Sequence, residues 1–224
     1  GELVDERVAG GRRTITYVTD RPGHLFNVVA GRWAVKRGDG VAVHYHPAHT
    51  YNLEPIVEAL AASRRWYAEW FAPYPWRDLR LSEFPDLRTY AQGSPTNITF
   101  SEGIGFLTRS EPKADAPFWV TAHEAAHQWW GNLVGAATYH DEWISEALAN
   151  YSAILVLERR KGNKAAHQAL DEGLRTLRTP YSGSIVEAAG PITWGVRLRS
   201  ESGLDPWRII TYDKGSWIIH MLRR

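Results

Sequence analysis

The segment His123-Glu124-Ala125-Ala126-His127 and the run Asp141–Asn150, which reads DEWISEALAN, together decide the fold. The first segment has the pattern H-E-x-x-H. Residues i and i+4 share one face of a helix, so both imidazoles can bind one metal ion at about 2.0–2.1 Å. Glu124 then lies where it can hold a metal-bound water rather than the metal. The Pro-started, Ala-rich context predicts a helix from near Asp115 to about Trp130. The alternative is a chance pair of histidines, one of them buried.

Glu146 strengthens the first interpretation. It follows His127 after 18 intervening residues and lies in a second predicted helix, from Asp141 to Arg160. A carboxylate from a neighbouring helix supplies a third ligand and leaves a fourth position open, which is typical of catalytic zinc. An imidazole and carboxylate donor set suits zinc, so we expect one Zn²⁺ ion. Asp141 and Asn150 could accept the outer N–H of a ligand histidine; otherwise each is a capping or solvated residue.

The hydrophobic periodicity of the rest of the sequence predicts strands first and helices after them. Strands are expected at 14–18, 25–35, 41–46, 78–84, 97–100 and 104–107, with a helix at 52–71. Further helices are expected from Asn163 and after Asp205 or Asp213, with a loop over 180–203. This order predicts an α+β fold rather than a parallel βαβ arrangement.

Composition excludes several classes of function. The 26 basic and 25 acidic residues are mixed, which gives no electrostatic case for a nucleic-acid partner. Cysteine is absent, which excludes disulfides and thiol catalysis. No stretch approaches about 18 consecutive apolar residues, so no membrane span is expected in this fragment. The abrupt ends of the chain suggest an excised domain.

The runs HEAAHQWWGNLV at 123–134 and DEWISEALANY at 141–151 resemble the H-E-x-x-H-x₁₈-E block of the M1 family of zinc metallopeptidases, the gluzincin aminopeptidases. Segments 21–35, 67–86 and 210–222 are similar to other parts of that family. The resemblance implies a thermolysin-like zincin catalytic domain at 37–224, truncated before a helical C-terminal domain. It also implies that 1–36 is the C-terminal part of a β domain. The position of Tyr212 implies a catalytic tyrosine that donates to the oxyanion.

One segment departs from the family pattern. Where the family has Gly-x-Met-Glu-Asn, this chain has Gly93-Ser94-Pro95-Thr96-Asn97. Gly93 and Asn97 remain as candidate substrate-binding residues, but Thr96 replaces the glutamate that binds the substrate amine. A hydroxyl cannot supply the charge pairing that an ammonium group needs.

The run GSPTNITFSEGIGF at 93–106 resembles a divergent M1-like branch fused to ABC-type permeases. That resemblance implies a soluble domain of a membrane-anchored bacterial protein. It also makes Glu102 the nearest acid that could bind the amine, although a Ser-Glu pair before glycine is more often part of a turn.

The sequence therefore predicts a zinc-dependent metallopeptidase that acts on peptide substrates. Glu124 is its expected general base, and an M1-type aminopeptidase is the first interpretation. The alternatives are a peptidase or endopeptidase without a requirement for a free N-terminus, and a non-catalytic peptide-binding domain of a transporter. The sequence leaves the oligomeric state open.

Overall fold

A computed structural model describes residues 1–19, 21–23, 27–107, 116–201 and 203–224. Within them the chain forms two compact units, Gly1–Thr121 and Ala122–Arg224. The first unit contains most of the strands and the second most of the helices.

The first unit contains a two-stranded hairpin and a five-stranded mixed sheet. The hairpin pairs β1 with β2 in antiparallel fashion. The sheet has the order β3-β4-β5-β7-β6, in which β4, β5 and β7 run parallel and the two outer strands run antiparallel to their neighbours. The strand bounds are β1 (Glu2–Ala9), β2 (Arg12–Val18), β3 (Ala34–Gly38), β4 (Val41–Tyr45), β5 (Leu79–Phe84), β6 (Ala91–Ser94) and β7 (Asn97–Ser101).

Helix α1 (Leu53–Trp70) packs on this sheet against β3 and β4. Ile56, Leu60, Ser63 and Tyr67 recur every three or four residues, and all four are fully buried. That spacing places them on one helical face, so burial of apolar surface stabilises the helix against the sheet. A short helix, α2 (Glu102–Gly105), directly follows β7.

The second unit is built on helices that surround a small apolar core. Its elements are the end of α3 (Ala116–Ala126), α4 (Glu142–Lys161), α5 (Asn163–Leu177), the two-residue strands β8 (Pro180–Tyr181) and β9 (Ser184–Ile185), 3₁₀ helices at Val186–Ala189 and Ile192–Leu198, α6 (Pro206–Ile209), a π-helical turn at Ile210–Lys214 and α7 (Gly215–Arg223). Leu177, Val186, Leu198 and Ile210 form its buried apolar cluster.

The structure confirms the α+β class and most of the predicted elements. Two strand predictions are wrong. Residues 27–33 have no regular secondary structure, and residues 104–107 lie in and just after α2 instead of forming a strand. Short apolar runs do not distinguish strand from helix by periodicity alone. The predicted helix start near Asp115 and part of the strand predicted at 25–35 fall outside the described residues.

The predicted domain boundary between residues 36 and 37 falls inside β3, and the division at that point stays a prediction. Over the part of the chain that the structure describes, no helix is long and apolar enough to cross a membrane.

Gly215, the first residue of α7, provides a test of packing in the second unit. A Cβ atom added there would lie 2.6 Å from the Cβ of Ala147 on α4. We expect Gly215→Ala to destabilise the fold by about 1–3 kcal/mol through overpacking. That cost exceeds the gain of about 0.5–1 kcal/mol from placing alanine in a helix. Thermal unfolding followed by circular dichroism measures the effect, at about 2–4 °C per kcal/mol.

The matched control is Gly135→Ala, where the added Cβ would lie 3.7 Å from its nearest neighbour, in ordinary contact. A Gly215→Ala protein that is as stable as the control would contradict the close approach of α7 and α4.

Candidate metal centre

Two helices of the second unit bring three potential ligands together. His123 and His127 lie one turn apart, at the end of α3 and just after it, and Glu146 lies in the second turn of α4. Small residues on α3 allow close packing around the histidines, because Ala125 and Ala126 are fully buried. His123 itself is buried, and His127 and Glu146 are largely so. The local sequence and the packing therefore place the predicted ligands in one protected position.

The distances between the donor atoms fit a single tetrahedral ion. The two Nε2 atoms are 3.1 Å apart, and each lies 3.3 Å from Oε2 of Glu146. Ligands bound to zinc at 2.0–2.1 Å with tetrahedral angles lie about 3.3–3.4 Å from one another. Oε2 of Glu146 is buried, and no donor of the described residues forms a hydrogen bond with it. A buried carboxylate oxygen without a hydrogen-bond donor lowers the free energy of unfolding unless a cation is bound to it.

The charges of the three side chains agree with this fit. Burial lowers the pKa of His127, but the Glu146 carboxylate outweighs it and raises that pKa to about 9. Burial raises the pKa of Glu146, but the two imidazoles outweigh it and hold the pKa well below its usual value. The carboxylate thus stabilises positive charge at the point where the nitrogens converge. A divalent cation bound there takes the place of the proton.

The ring of His127 is oriented by the turn that follows α3. Its Nδ1 lies 2.8 Å from the backbone oxygen of Trp130, which can only accept. Nδ1 therefore donates, and the lone pair of Nε2 remains available to a metal. Gly131 permits this turn, because its φ is +107° and a Cβ there would lie 2.7 Å from Oγ of Ser145. The indole N–H of Trp130 donates to Ser152 on α4 and links the turn to the helix of Glu146.

The structure shows other contacts for Asp141 and Asn150, and their role toward a ligand histidine stays a prediction. The outer nitrogen of His127 bonds to Trp130, not to either of these side chains. The Asp141 carboxylate accepts from the backbone N–H and the hydroxyl of Thr138, 3.0 and 2.9 Å away. The Asn150 side-chain amide donates to Oγ of Ser216 at 2.9 Å and to the backbone oxygen of Tyr212 at 3.4 Å. Asp141 therefore stabilises a turn, and Asn150 holds the segment that carries Tyr212.

Tyr212 and Glu124 both lie beside the ligands. The Tyr212 ring stacks on that of His123, with centroids 5.3 Å apart and planes 13° apart. Burial raises the pKa of Tyr212 well above its usual value, and the Glu146 and Glu124 carboxylates raise it further. The phenol therefore stays protonated and can donate. Glu124 is buried beside the histidines on α3 and also contributes to the raised pKa of His127.

Tyr212 lies on the π-helical turn between α6 and α7, and its neighbours hold that turn in place. Such turns are rare and frequently occur at functional sites. The Thr176 hydroxyl on α5 donates to the Asp213 carboxylate at 2.5 Å. Trp207 packs edge-on against Tyr212, with ring centroids 6.1 Å apart. Sequence reasoning missed Trp207 and Ser216, because no local motif singles them out.

The candidate substrate-binding residues lie in the first unit. Gly93 is in β6 and pairs with Ile98 of β7. Asn97 begins β7, and its side-chain oxygen accepts from the Ser82 hydroxyl at 2.8 Å. Glu102 begins α2. Thr96, at the turn between β6 and β7, has a φ of +68°, which is strained for a β-branched residue.

Two human aminopeptidases are similar in sequence to this chain. Human endoplasmic reticulum aminopeptidase 2 is 34% identical over 190 residues, which is 83% of this chain and 19% of that protein. Human endoplasmic reticulum aminopeptidase 1 is 25% identical over 195 residues, which is 84% of this chain and 20% of that protein. The chain therefore spans about a fifth of the length of these relatives.

Solved structures show the same fold. The M1 zinc metallopeptidase from Deinococcus radiodurans superimposes with a TM-score of 0.62 at 19% identity, covering 100% of this chain and 48% of that one. The model of the peptidase family M1 domain matches residues 51–224, which is most of the sequence. Together with the geometry of His123, His127 and Glu146, this match shows that the chain belongs to peptidase family M1.

Proposed function

We propose that this protein is a zinc-dependent peptidase that hydrolyses peptide bonds at the centre formed by His123, His127 and Glu146. The observation that carries the proposal is the convergence of their three donor atoms at 3.1–3.3 Å around a buried carboxylate oxygen. When bound, zinc supplies a Lewis acid and lowers the pKa of water toward about 7. Its presence is supported by the family, and one ion is what these three residues would hold.

Glu124 is the proposed general base. Its carboxylate lies on the helix of the two histidines and is buried beside them. In this role it accepts a proton from the attacking water and delivers that proton to the leaving amine. Its alternation between carboxylate and carboxylic acid links the two halves of the reaction.

Tyr212 is the proposed donor to the oxyanion. Its raised pKa keeps the hydroxyl protonated, and the stacked His123 ring fixes its orientation. A donor of this kind is typically worth about 10²–10³ in kcat. Asn150 and Ser216 support this role by holding the backbone of the Tyr212 turn.

The names of the relatives favour an M1-type aminopeptidase. A free α-amine requires an acidic partner, and we assign that role to Glu102. Strand β6 lies at one edge of the sheet, and we assign Gly93 on that strand to the main chain of the extended peptide substrate. Asn97 would orient that segment from the start of β7.

The second candidate is a peptidase without a requirement for a free amine. It is favoured by Thr96, whose hydroxyl stands where the family has a glutamate. A fusion to a permease, and with it a membrane-anchored parent protein, stays a prediction from the resemblance of residues 93–106.

A panel of aminoacyl-coumarin substrates, assayed beside N-acetylated peptides with and without a chelator, tests the two candidates. Chelator-sensitive cleavage of free-amine substrates alone supports the aminopeptidase. Cleavage of both classes supports the second candidate. No chelator-sensitive cleavage of either class contradicts the proposed function.

Replacing the general base separates catalysis from metal binding. We expect Glu124→Gln to retain zinc, measured by mass spectrometry of the metal content, and to lower kcat by about 10²–10⁴-fold. Glu146→Gln should instead lose zinc, because it removes the buried negative charge. Glu69→Gln, on the exposed face of α1, is the control and should change neither quantity. A Glu124→Gln protein with unchanged turnover would refute the assignment.

A further prediction concerns the hydroxyl of Tyr212, the proposed oxyanion donor. Tyr212→Phe removes only the hydroxyl, so kcat should fall by about 10²–10³-fold while KM changes little. Asn150→Ala should lower kcat in the same direction by a smaller factor, with zinc content unchanged, because it loosens the turn rather than the ligands. Steady-state kinetics with one peptide substrate measures both. A rise in KM alone for Tyr212→Phe would show that the hydroxyl binds the ground state instead.

A further inference from the structure

Asp213 directly follows Tyr212 on the π-helical turn of the second unit, and its side chain contacts a helix other than the one that carries Glu146. Oδ2 of Asp213 accepts a hydrogen bond from the Thr176 hydroxyl on α5 at 2.5 Å. Both residues are half-buried, so water competes less for this bond than it would at the surface. Hydrogen bonds to charged groups are stronger than bonds between neutral groups. The contact therefore attaches the turn of Tyr212 to α5.

A glycine allows α5 to approach the turn closely. Gly173 is buried and lies in the interior of α5, where glycine is a poor helix former. A Cβ atom added to Gly173 would lie 3.2 Å from the Cβ of Asp213, which is tighter than an ordinary contact. Thr176 is three residues further along and lies on the same face of the helix. The small residue therefore brings the Thr176 hydroxyl within reach of the Asp213 carboxylate.

The turn also contacts α4 and a 3₁₀ helix, but these contacts are longer or more exposed. Asn150 on α4 donates to the backbone oxygen of Tyr212 at 3.4 Å, which is long for a hydrogen bond. Lys214 pairs with Glu187 at 2.6 Å, and these side chains are 29% and 47% exposed. Exposed ion pairs contribute little to stability. Of the three contacts, the bond between Asp213 and Thr176 is the shortest.

The position of Asp213 on the turn links this bond to the Tyr212 ring. Consecutive residues of a helical turn point in directions about 80–100° apart. The Tyr212 ring stacks on His123, with centroids 5.3 Å apart, while the Asp213 side chain reaches α5. Rotation of the turn about its axis would move both side chains together. A bond that fixes the Asp213 carboxylate therefore also fixes the Tyr212 ring over His123.

We propose that Asp213 is a positioning residue for Tyr212, and that its bond to Thr176 holds the phenol hydroxyl in place beside the metal centre. This inference rests on the proposed function, in which that hydroxyl donates to the oxyanion. Asp213 acts through the position of the neighbouring ring and not on the substrate. A displaced donor loses part of the factor of about 10²–10³ in kcat that such a hydroxyl provides.

Two substitutions of Asp213 separate its bond from its charge. Asp213→Ala removes the bond but leaves the Thr176 hydroxyl an acceptor, since that hydroxyl also lies 2.8 Å from the backbone oxygen of Gly173. We expect kcat for one peptide substrate to fall by about 10-fold, with KM and zinc content unchanged. Asp213→Asn can still accept from Thr176 and should stay within about 3-fold of the parent. Asp171→Ala removes an exposed carboxylate on α5 and is the control that should change neither quantity.

The Tyr212→Phe background shows whether the effect passes through the hydroxyl. Asp213→Ala should lower kcat no further there, because substitutions that act through one group are not additive. An equal fall in both backgrounds would overturn the proposal, as would an Asp213→Asn protein that is as slow as Asp213→Ala. A folded Asp213→Ala protein with the parent kcat would also overturn it. If Asp213→Ala does not fold, as judged by circular dichroism, Thr176→Val removes the same bond with little change in shape and takes its place.

Nuclear magnetic resonance of the zinc-loaded chain with labelled tyrosine tests the positioning without turnover. The His123 ring shifts the ring signals of the stacked Tyr212, and Tyr212→Phe identifies those signals by their loss. They should move toward the positions of exposed tyrosines in Asp213→Ala but not in Asp213→Asn.

The two measurements separate this inference from the proposed function. If the unsubstituted chain cleaves no peptide but the Tyr212 signals respond as expected, the proposed function fails while the positioning role of Asp213 stands. Peptide cleavage with Tyr212 signals that are unchanged in Asp213→Ala gives the opposite outcome.

Discussion

The convergence of two imidazole nitrogens and one buried carboxylate oxygen is the constraint on which the second unit depends. Without a cation, the Glu146 carboxylate is stabilised by a proton on His127, which raises the pKa of that histidine to about 9. Fully buried alanines next to the ligands, Ala125 and Ala126 beside the histidines and Ala147 beside Glu146, leave room for the three side chains to converge. A largely buried group of two imidazoles and a carboxylate with this spacing is typical of a binding site for a metal ion rather than of an ordinary core.

The same packing places the groups that surround the metal centre. Tyr212 lies on a π-helical turn, and Asn150, one turn after Glu146 on α4, holds the backbone of that turn. One helix therefore carries Glu146 and also holds the turn of Tyr212, the proposed oxyanion donor. The turn after α3 has a similar double role, because it orients His127 through Trp130 and bonds to α4 through Ser152.

The first unit contains a different arrangement of ionisable side chains. Its His49, Glu83 and Glu102 cluster has the same two residue types as the metal centre, but Nδ1 of His49 lies 2.5 Å from Oε1 of Glu83, the distance of a short hydrogen bond. Parallel pairing of β4, β5 and β7 creates the cluster, since it brings the carboxyl ends of the strands together.

The sequence by itself predicted the candidate ligand set, because H-E-x-x-H on a helix and a glutamate on the next helix have a recognisable spacing. It also indicated α1 and α4, whose apolar periodicity is long and regular. Tertiary structure alone decided that the Asn150 amide bonds to the Tyr212 turn, and that residues 104–107 are not a strand. It also decided the pairing of His49 with Glu83. These contacts join segments that are far apart in the chain, so the local periodicity of the sequence does not predict them.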